Sequence, residues 1–249
     1  MSTYVTSGLV LKVSPWRETD RLYSLLTSNR GRVEVIAAGA RKLVSKLSPH
    51  LLPFAEIDLM IAHGKQLDRL ASAKVGHIYL KPPYELPNSV LASCFLEIAR
   101  ILTEAEQPEP KLYKLVKKYL SAISELPISP VLWRDQARVL LACYLVESLK
   151  EAGLAISLVN CEVCKKELAE PAIYSWRRHD FLHQACLSSK EESVPLVTGT
   201  LVWLQQAMFG NINLLDKKFL PTTLTFLTDY FSGHVGRSLY TLRVLRSIL

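Results

Sequence analysis

Pro82-Pro83 separates two hydrophobic patterns, and each pattern admits one kind of element. Before the pair, apolar residues alternate with polar ones over runs of six to eight residues, the period of a half-buried strand. After it, apolar residues recur every three or four positions over long runs, the period of a helix. A chain of 249 residues is long enough for two domains. The boundary predicts one domain over 1–81 and a second over 82–249.

Five short strands fill the first part. Gly8-Leu9-Val10-Leu11-Lys12-Val13 is the first, and Glu18-Thr19-Asp20-Arg21 is a polar turn. Leu22 to Thr27 is the second, closed by the hairpin signal Ser28-Asn29-Arg30-Gly31. Arg32 to Ala37 alternates cleanly, as does Phe54 to Ile61. His63-Gly64-Lys65 turns the chain, and Leu67 to Ile78 returns it. Five strands in about 80 residues suit a small barrel, the five-stranded OB-fold above all.

The second part reads as helices over Asn88–Glu106, Lys111–Leu126 and Val131–Ala152, broken by Pro108-Glu109-Pro110 and by Pro127 and Pro130. Val131–Ala152 is apolar nearly all round, as a central buried helix is. A fourth helix is expected over Ser193–Phe209. A last helical stretch runs from about Thr222 to Ile248, where Gly233 and Gly236 allow a kink or a break.

Charge is uneven. The formal net charge is +7. Residues 1–80 hold eleven Lys/Arg against six Asp/Glu, so 11 − 6 = +5 of the surplus lies in the barrel. Arg30, Arg32, Arg41, Lys42 and Lys46 follow one another along a strand and its loop, which points to phosphate contact. Singly, each reads first as a solubilising surface charge; the group carries the phosphate reading. Tyr23 and Phe54 are candidates for base stacking, with the barrel core as the default for both.

Cys161-Glu-Val-Cys164 and His183-Gln-Ala-Cys186 are two hooks of the spacing that places four ligands around zinc. A closed set of this kind is structural, with no position left for water. His179 is the reserve for the fourth ligand. The alternative is that Cys161 and Cys164 are remnants and His183 a surface residue. Cys94 and Cys143 fall in helical apolar patterns and read as core. The zinc-ribbon-like element is expected to interrupt the helices over 159–187.

There is no G-x-x-x-x-G-K-[ST], G-x-G-x-x-G, H-E-x-x-H or G-x-S-x-G. Nothing supports a nucleotide-hydrolysing or nucleophilic site, so no enzyme is expected. A zinc hydrolase or nuclease would need an open metal position, which three cysteines among four ligands argue against. No apolar run is long enough to span a bilayer. The first residues lack a secretory leader's pattern, so the cytoplasm is expected.

In order of features the chain resembles the bacterial recombination and repair protein family RecO. The resemblance rests on Gly8-Leu9-Val10-Leu11, Arg17-Glu18-Thr19-Asp20-Arg21-Leu22, Thr27 to Gly31, Gly39-Ala40-Arg41-Lys42 with Ser45-Lys46-Leu47, and Leu51-Leu52-Pro53-Phe54. The Cys-x-x-Cys knuckle after a long apolar helix fits too, as does the segment from Arg237 to Leu249. It is most specific over residues 8–54.

The resemblance implies an α+β chain, with an N-terminal OB-fold barrel and a helical domain interrupted by a zinc-binding element. His183 stands where the family commonly has a third cysteine. It further implies a mediator of homologous recombination that binds single- and double-stranded DNA and anneals complementary strands. Such a protein works with RecR and the tail of single-strand-binding protein to load the RecA recombinase. The alternative from another class is a non-enzymatic protein-interaction scaffold with an OB barrel and structural zinc. Within the stretch that carries the resemblance, Leu47, Leu51, Leu52 and Phe54 are expected to anchor the basic loop to the barrel.

Overall fold

A computed structural model describes residues 2–169, 171–188, 191–208 and 217–249. The chain forms two compact units, Met1–Ile128 with Leu239–Leu249, and Ser129–Ser238.

The first unit is built on a closed five-stranded barrel of order β1-β2-β3-β5-β4. The strands are β1 (Thr3–Trp16), β2 (Asp20–Thr27), β3 (Gly31–Ala37), β4 (Ala55–Ala62) and β5 (Asp68–Ile78). All neighbouring pairs are antiparallel except β3 with β5. Order and orientations are those of the OB-fold.

The alternation sets the inner face. Val33, Val35 and Ala37 of β3 point inward with Ile57, Leu59 and Ile61 of β4, around Tyr23 and Leu25 of β2. Tyr23 and Phe54 are both buried, the former in the barrel core. Leu51 is buried and Leu47 packs against the same core, so the C-terminal end of the basic loop is anchored. β1 is longer than its apolar centre suggests. A register shift between Val10 and Lys12 lets its two halves serve β4 and β2 in turn.

Helix α1 (Leu86–Leu102) packs against β1, and Leu9 and Leu26, opposite one another in register, are buried outside the barrel core. α2 (Pro110–Ser124) packs on α1 through the Phe95 and Tyr119 rings, edge to face at 5.7 Å. α2 is also tied to β4. Glu56 accepts hydrogen bonds from Tyr113 Oη (2.6 Å) and Lys117 Nζ (2.8 Å). Asp58 accepts one from Ser7 Oγ at 2.9 Å. The Glu56/Asp58 pair is therefore structural. Burial and the hydrogen bond to Glu56 push the Tyr113 hydroxyl far above its ordinary range.

The second unit centres on α3 (Pro130–Glu151), buried along Leu141–Val146 as its apolar sequence demands. A three-stranded sheet of order β7-β6-β8 follows, from β6 (Ala172–Ser175), β7 (Asp180–His183) and β8 (Ser193–Pro195). β8 corrects the helix expected from Ser193. Pro195, which has no N–H to continue a helix or an interior ladder, ends an edge strand against Ile173. The helix, α4, begins at Thr198 and runs to Met208. The expected last residue, Phe209, lies outside the described residues.

α5 (Leu220–Val235) packs against α3, and its Phe226 and Tyr230 meet the buried Tyr174 of β6. Of the two glycines, Gly236 makes the break. It adopts φ 67°, and its N–H closes the helix on Ser232 O at 2.9 Å. Gly233 stays helical, and it is glycine for space, since a Cβ there would lie 2.7 Å from the Trp176 ring. After the break, α6 (Tyr240–Arg246) belongs to the first unit. There Glu97 of α1 accepts from the Tyr240 and Thr241 N–H groups (3.0 and 2.8 Å) and from Thr241 Oγ1.

Candidate functional site

Strand β3 carries the sequence-predicted basic group and also divides it. Seven residues at about 3.4 Å each separate Arg30, before its start, from Arg41, Lys42 and Lys46, beyond its end. The five cations therefore fall into two places.

At the first, Arg30 lies over the Tyr4 ring, 4.0 Å from its centroid. Tyr4 Oη donates to Asp68 at 3.1 Å. Burial and this bond push the Tyr4 hydroxyl up to about 12. Arg32 is half-buried, with Ala105 bridged alongside it and the Glu106 N–H on its carbonyl at 2.9 Å. Its Nε is buried without a hydrogen-bond partner. The segment after α1 thus covers the start of β3.

At the second place the cations are open. Arg41, Lys42 and Lys46 are all exposed on the loop after β3. Among the described residues, no carboxylate is within ion-pair distance of them. The loop is fixed from below. Asp20 accepts the Gly39 N–H at 2.8 Å, and the Arg41 N–H reaches Thr19 O at 2.9 Å. The Gly39 N–H, with the Thr19 hydroxyl, holds the Asp20 carboxyl below its ordinary range. Arg41 Nη1 reaches Arg17 O at 3.4 Å.

These contacts bring in cations that sequence reasoning left out. The turn between β1 and β2 carries Arg17 to this end, the start of β2 carries Arg21, and the parallel register sets Arg69 beside Ile36. OB-folds bind ligands with the loops between strands 1 and 2 and between strands 4 and 5; the first of these lies here, and the second, residues 63–67, lies by Tyr4 at the first place. The available signal was the fold's own topology: once the barrel is assigned, the loop between strands 1 and 2 and the loop after strand 3 share one end.

The second candidate lies in the second unit. Cys161, Cys164, His183 and Cys186 come together, with their ligand atoms all within 4.8 Å of one another. Cys161 and Cys164 flank a turn closed by the Cys161 N–H on Lys166 O (2.8 Å) and the Lys165 N–H on Cys161 O (2.9 Å). Lys165 takes φ 58° to make it. The Glu162 N–H, bonded to Phe181 O at 3.0 Å, clamps this turn to β7, which ends in His183.

The donor set fits a tetrahedral soft cation. Zinc bonds of about 2.3 Å to sulfur and 2.0–2.1 Å to nitrogen place adjacent donors about 3.5 Å apart. Cys164 Sγ and His183 Nδ1 are 3.4 Å apart. His183 Nε2 is 3.0 Å from Glu167 O, which accepts its proton in the tautomer that leaves Nδ1 free for a metal. In the other tautomer Nε2 accepts from the Ala169 N–H at 3.2 Å. Burial opposes ionisation of Cys161, but the N–H groups of Cys164, His183 and Val163 outweigh it, and the thiol is held down to about 6. Burial and its neighbouring sulfurs push the Cys186 thiol up. His179, the reserve ligand, turns instead toward His234, with ring centroids 5.4 Å apart.

The second unit also contains an apolar cavity of about 330 Å³, lined by Trp176, Leu196, Val197, Pro221 and Phe226. Among the described residues, no helix is long and apolar enough to cross a membrane.

A cation-ended OB barrel followed by helices and a Cys3His knuckle defines a class of proteins: OB-fold chains whose helical part is interrupted by a cluster of side chains able to ligate a metal. The particular member of that class is given by comparison. The model of the recombination protein O N-terminal domain matches residues 1–79, and that of its C-terminal domain matches residues 84–243. The chain belongs to the RecO family of DNA repair proteins. It is 26% identical over 229 residues to the DNA repair protein RecO of Synechococcus sp., covering 88% of this chain and 72% of that one. It is 30% identical over 181 residues to the protein of the same name from Bifidobacterium longum, covering 70% of each. With that from Anaeromyxobacter dehalogenans it is 27% identical over 250 residues, covering 97% of this chain and 95% of the relative.

Proposed function

We propose that this chain is a non-enzymatic DNA-binding mediator of homologous recombination, acting in the bacterial cytoplasm at the nucleoid during repair. In this reading residues 1–81 are the DNA-binding domain. Residues 82–249 form a helical domain with the knuckle inserted at 159–187. Arg30, Arg32, Arg41, Lys42 and Lys46 contact phosphates of single- and double-stranded DNA. The observation that carries the reading is the open cluster of Arg41, Lys42 and Lys46, with no carboxylate at ion-pair distance among the described residues, beside the ligand-binding loop between strands 1 and 2 of an OB barrel. Arg17 and Arg21 extend that cluster.

Binding of this kind neutralises phosphates with little sequence readout. Two strands neutralised side by side no longer repel, and annealing of complementary strands follows. Family membership supports the partners: RecR, the C-terminal tail of single-strand-binding protein, and the RecA recombinase whose loading they assist. The apolar cavity of the second unit supports a protein-docking role for that part of the chain. Cys161, Cys164, His183 and Cys186 hold one structural Zn2+ in this reading, supported by the donor spacing. Bound there, zinc cross-links the knuckle, and all four donors are occupied.

A salt titration of binding to a single-stranded oligonucleotide tests the proposal. The log of affinity is expected to fall with log salt at about −0.7 per phosphate contacted. Substituting Arg41, Lys42 and Lys46 together is expected to flatten the slope by about 2 and to weaken binding to all sequences alike. A flat wild-type response, or no binding at low salt, overturns it and favours the scaffold.

A further inference from the structure

The tip of the basic loop is apolar. Leu43 and Val44 have relative exposures of 106% and 86%, so both stand almost wholly in solvent. They stand between Arg41-Lys42 and Lys46, in a stretch with no acid from Val35 to Ala55. Exposed apolar residues gain meaning when they adjoin and are rimmed by polar groups, as these two are by Arg41, Lys42 and Lys46.

The loop is not a slack tether. The Lys42 N–H bonds Gly39 O and the Ser45 N–H bonds Lys42 O, each at 3.0 Å. Ser45 Oγ accepts the Ser48 N–H at 3.2 Å. Ala40 is buried at one base and Leu47 packs on the barrel core at the other. Successive turns thus hold the two side chains outward with their conformational cost already met.

We propose that Leu43 and Val44 form a wedge that enters the base stack where a duplex meets single strands, while Arg41, Lys42 and Lys46 grip the flanking phosphates. This rests on the DNA reading above and adds to it a preferred substrate, the single–double-strand junction. The charge pattern selects this occupant. Three cations around an apolar tip match an apolar base stack bordered by phosphates. Aliphatic wedges elsewhere enter base steps, and the unstacking they require is least where the stack already ends. A wedge here gives the annealing activity a place to act, at the advancing end of a forming duplex.

The test uses the full-length protein and a forked duplex with 2-aminopurine at the pair next to the fork. Wild-type protein is expected to raise the 2-aminopurine fluorescence and to prefer the fork over an uninterrupted duplex. The double variant Leu43→Ser/Val44→Ser is expected to lose the fluorescence rise and about tenfold of the fork preference. Its thermal midpoint and salt slope should be unchanged, because Leu43 and Val44 are exposed in the folded protein and contact no phosphate. Leu43→Met should retain both properties.

Equal fluorescence with the wild type and the double variant overturns the wedge. So does salt-dependent DNA binding with no fluorescence rise, which leaves the DNA reading standing. Absence of any DNA binding removes the DNA reading and the wedge together. If the double substitution changes only sedimentation, the tip is a contact between copies of this chain and the wedge is overturned.

Discussion

Gly31 shows how far one residue can set a local arrangement. It has φ +68°, and a Cβ there would lie 1.8 Å from the Gln107 carbonyl oxygen. Both the backbone conformation and the space demand glycine. Gly31→Ala is expected to destabilise the first unit by about 2 kcal/mol or more, read from the urea midpoint. Asp20 acts through charge. Its carboxyl is depressed below the ordinary 3.8, so its stabilising effect is present above that value and is lost as pH falls through the folded-state value. Asp20→Asn removes this dependence. The stability difference between wild type and variant should narrow as pH falls below about 4, checked by urea melts across that range.

The elements differ in how legibly the sequence encoded them. The barrel was legible because period-two alternation has one solution per strand, and a one-residue slip would turn every side chain over. The convergence of Cys161, Cys164, His183 and Cys186 was legible because their spacing alone is restrictive. β8 was not, since three residues ending in proline carry too short a pattern to mark a strand. The cation cluster was half legible. Arg41, Lys42 and Lys46 were visible as a charge run, whereas Arg17 and Arg21 join them only through the docking of one turn on another. The covering of Arg32 by Ala105–Glu106 is a contact across some seventy residues and left no local sign. At this scale the metal test applies. One zinc per chain is expected by metal analysis, lost in Cys161→Ser. Chelation should raise amide exchange over 159–187 while leaving the strands of the barrel protected.

For the whole molecule, the Pro82-Pro83 boundary separates two sequence patterns, and the compact units divide elsewhere. α1 and α2 share a unit with the barrel, and residues 239–249 return to it. Glu97 fixes that return by capping the N-terminus of α6. Glu97→Ala is expected to cost about 1–2 kcal/mol, the loss of a charged cap, measured on the barrel-containing unit.

The same contact has a consequence in time. Tyr240 is 143 residues downstream of Glu97. A ribosome adding about 5–20 residues per second needs roughly 7 to 29 seconds to cover that distance. The barrel strands are all made before the interval starts, so the barrel can close early. Until Leu242 and Leu245 arrive, the flank of α1 that meets α6 stays bare on the nascent chain. The first unit begins folding before the second and is completed after it.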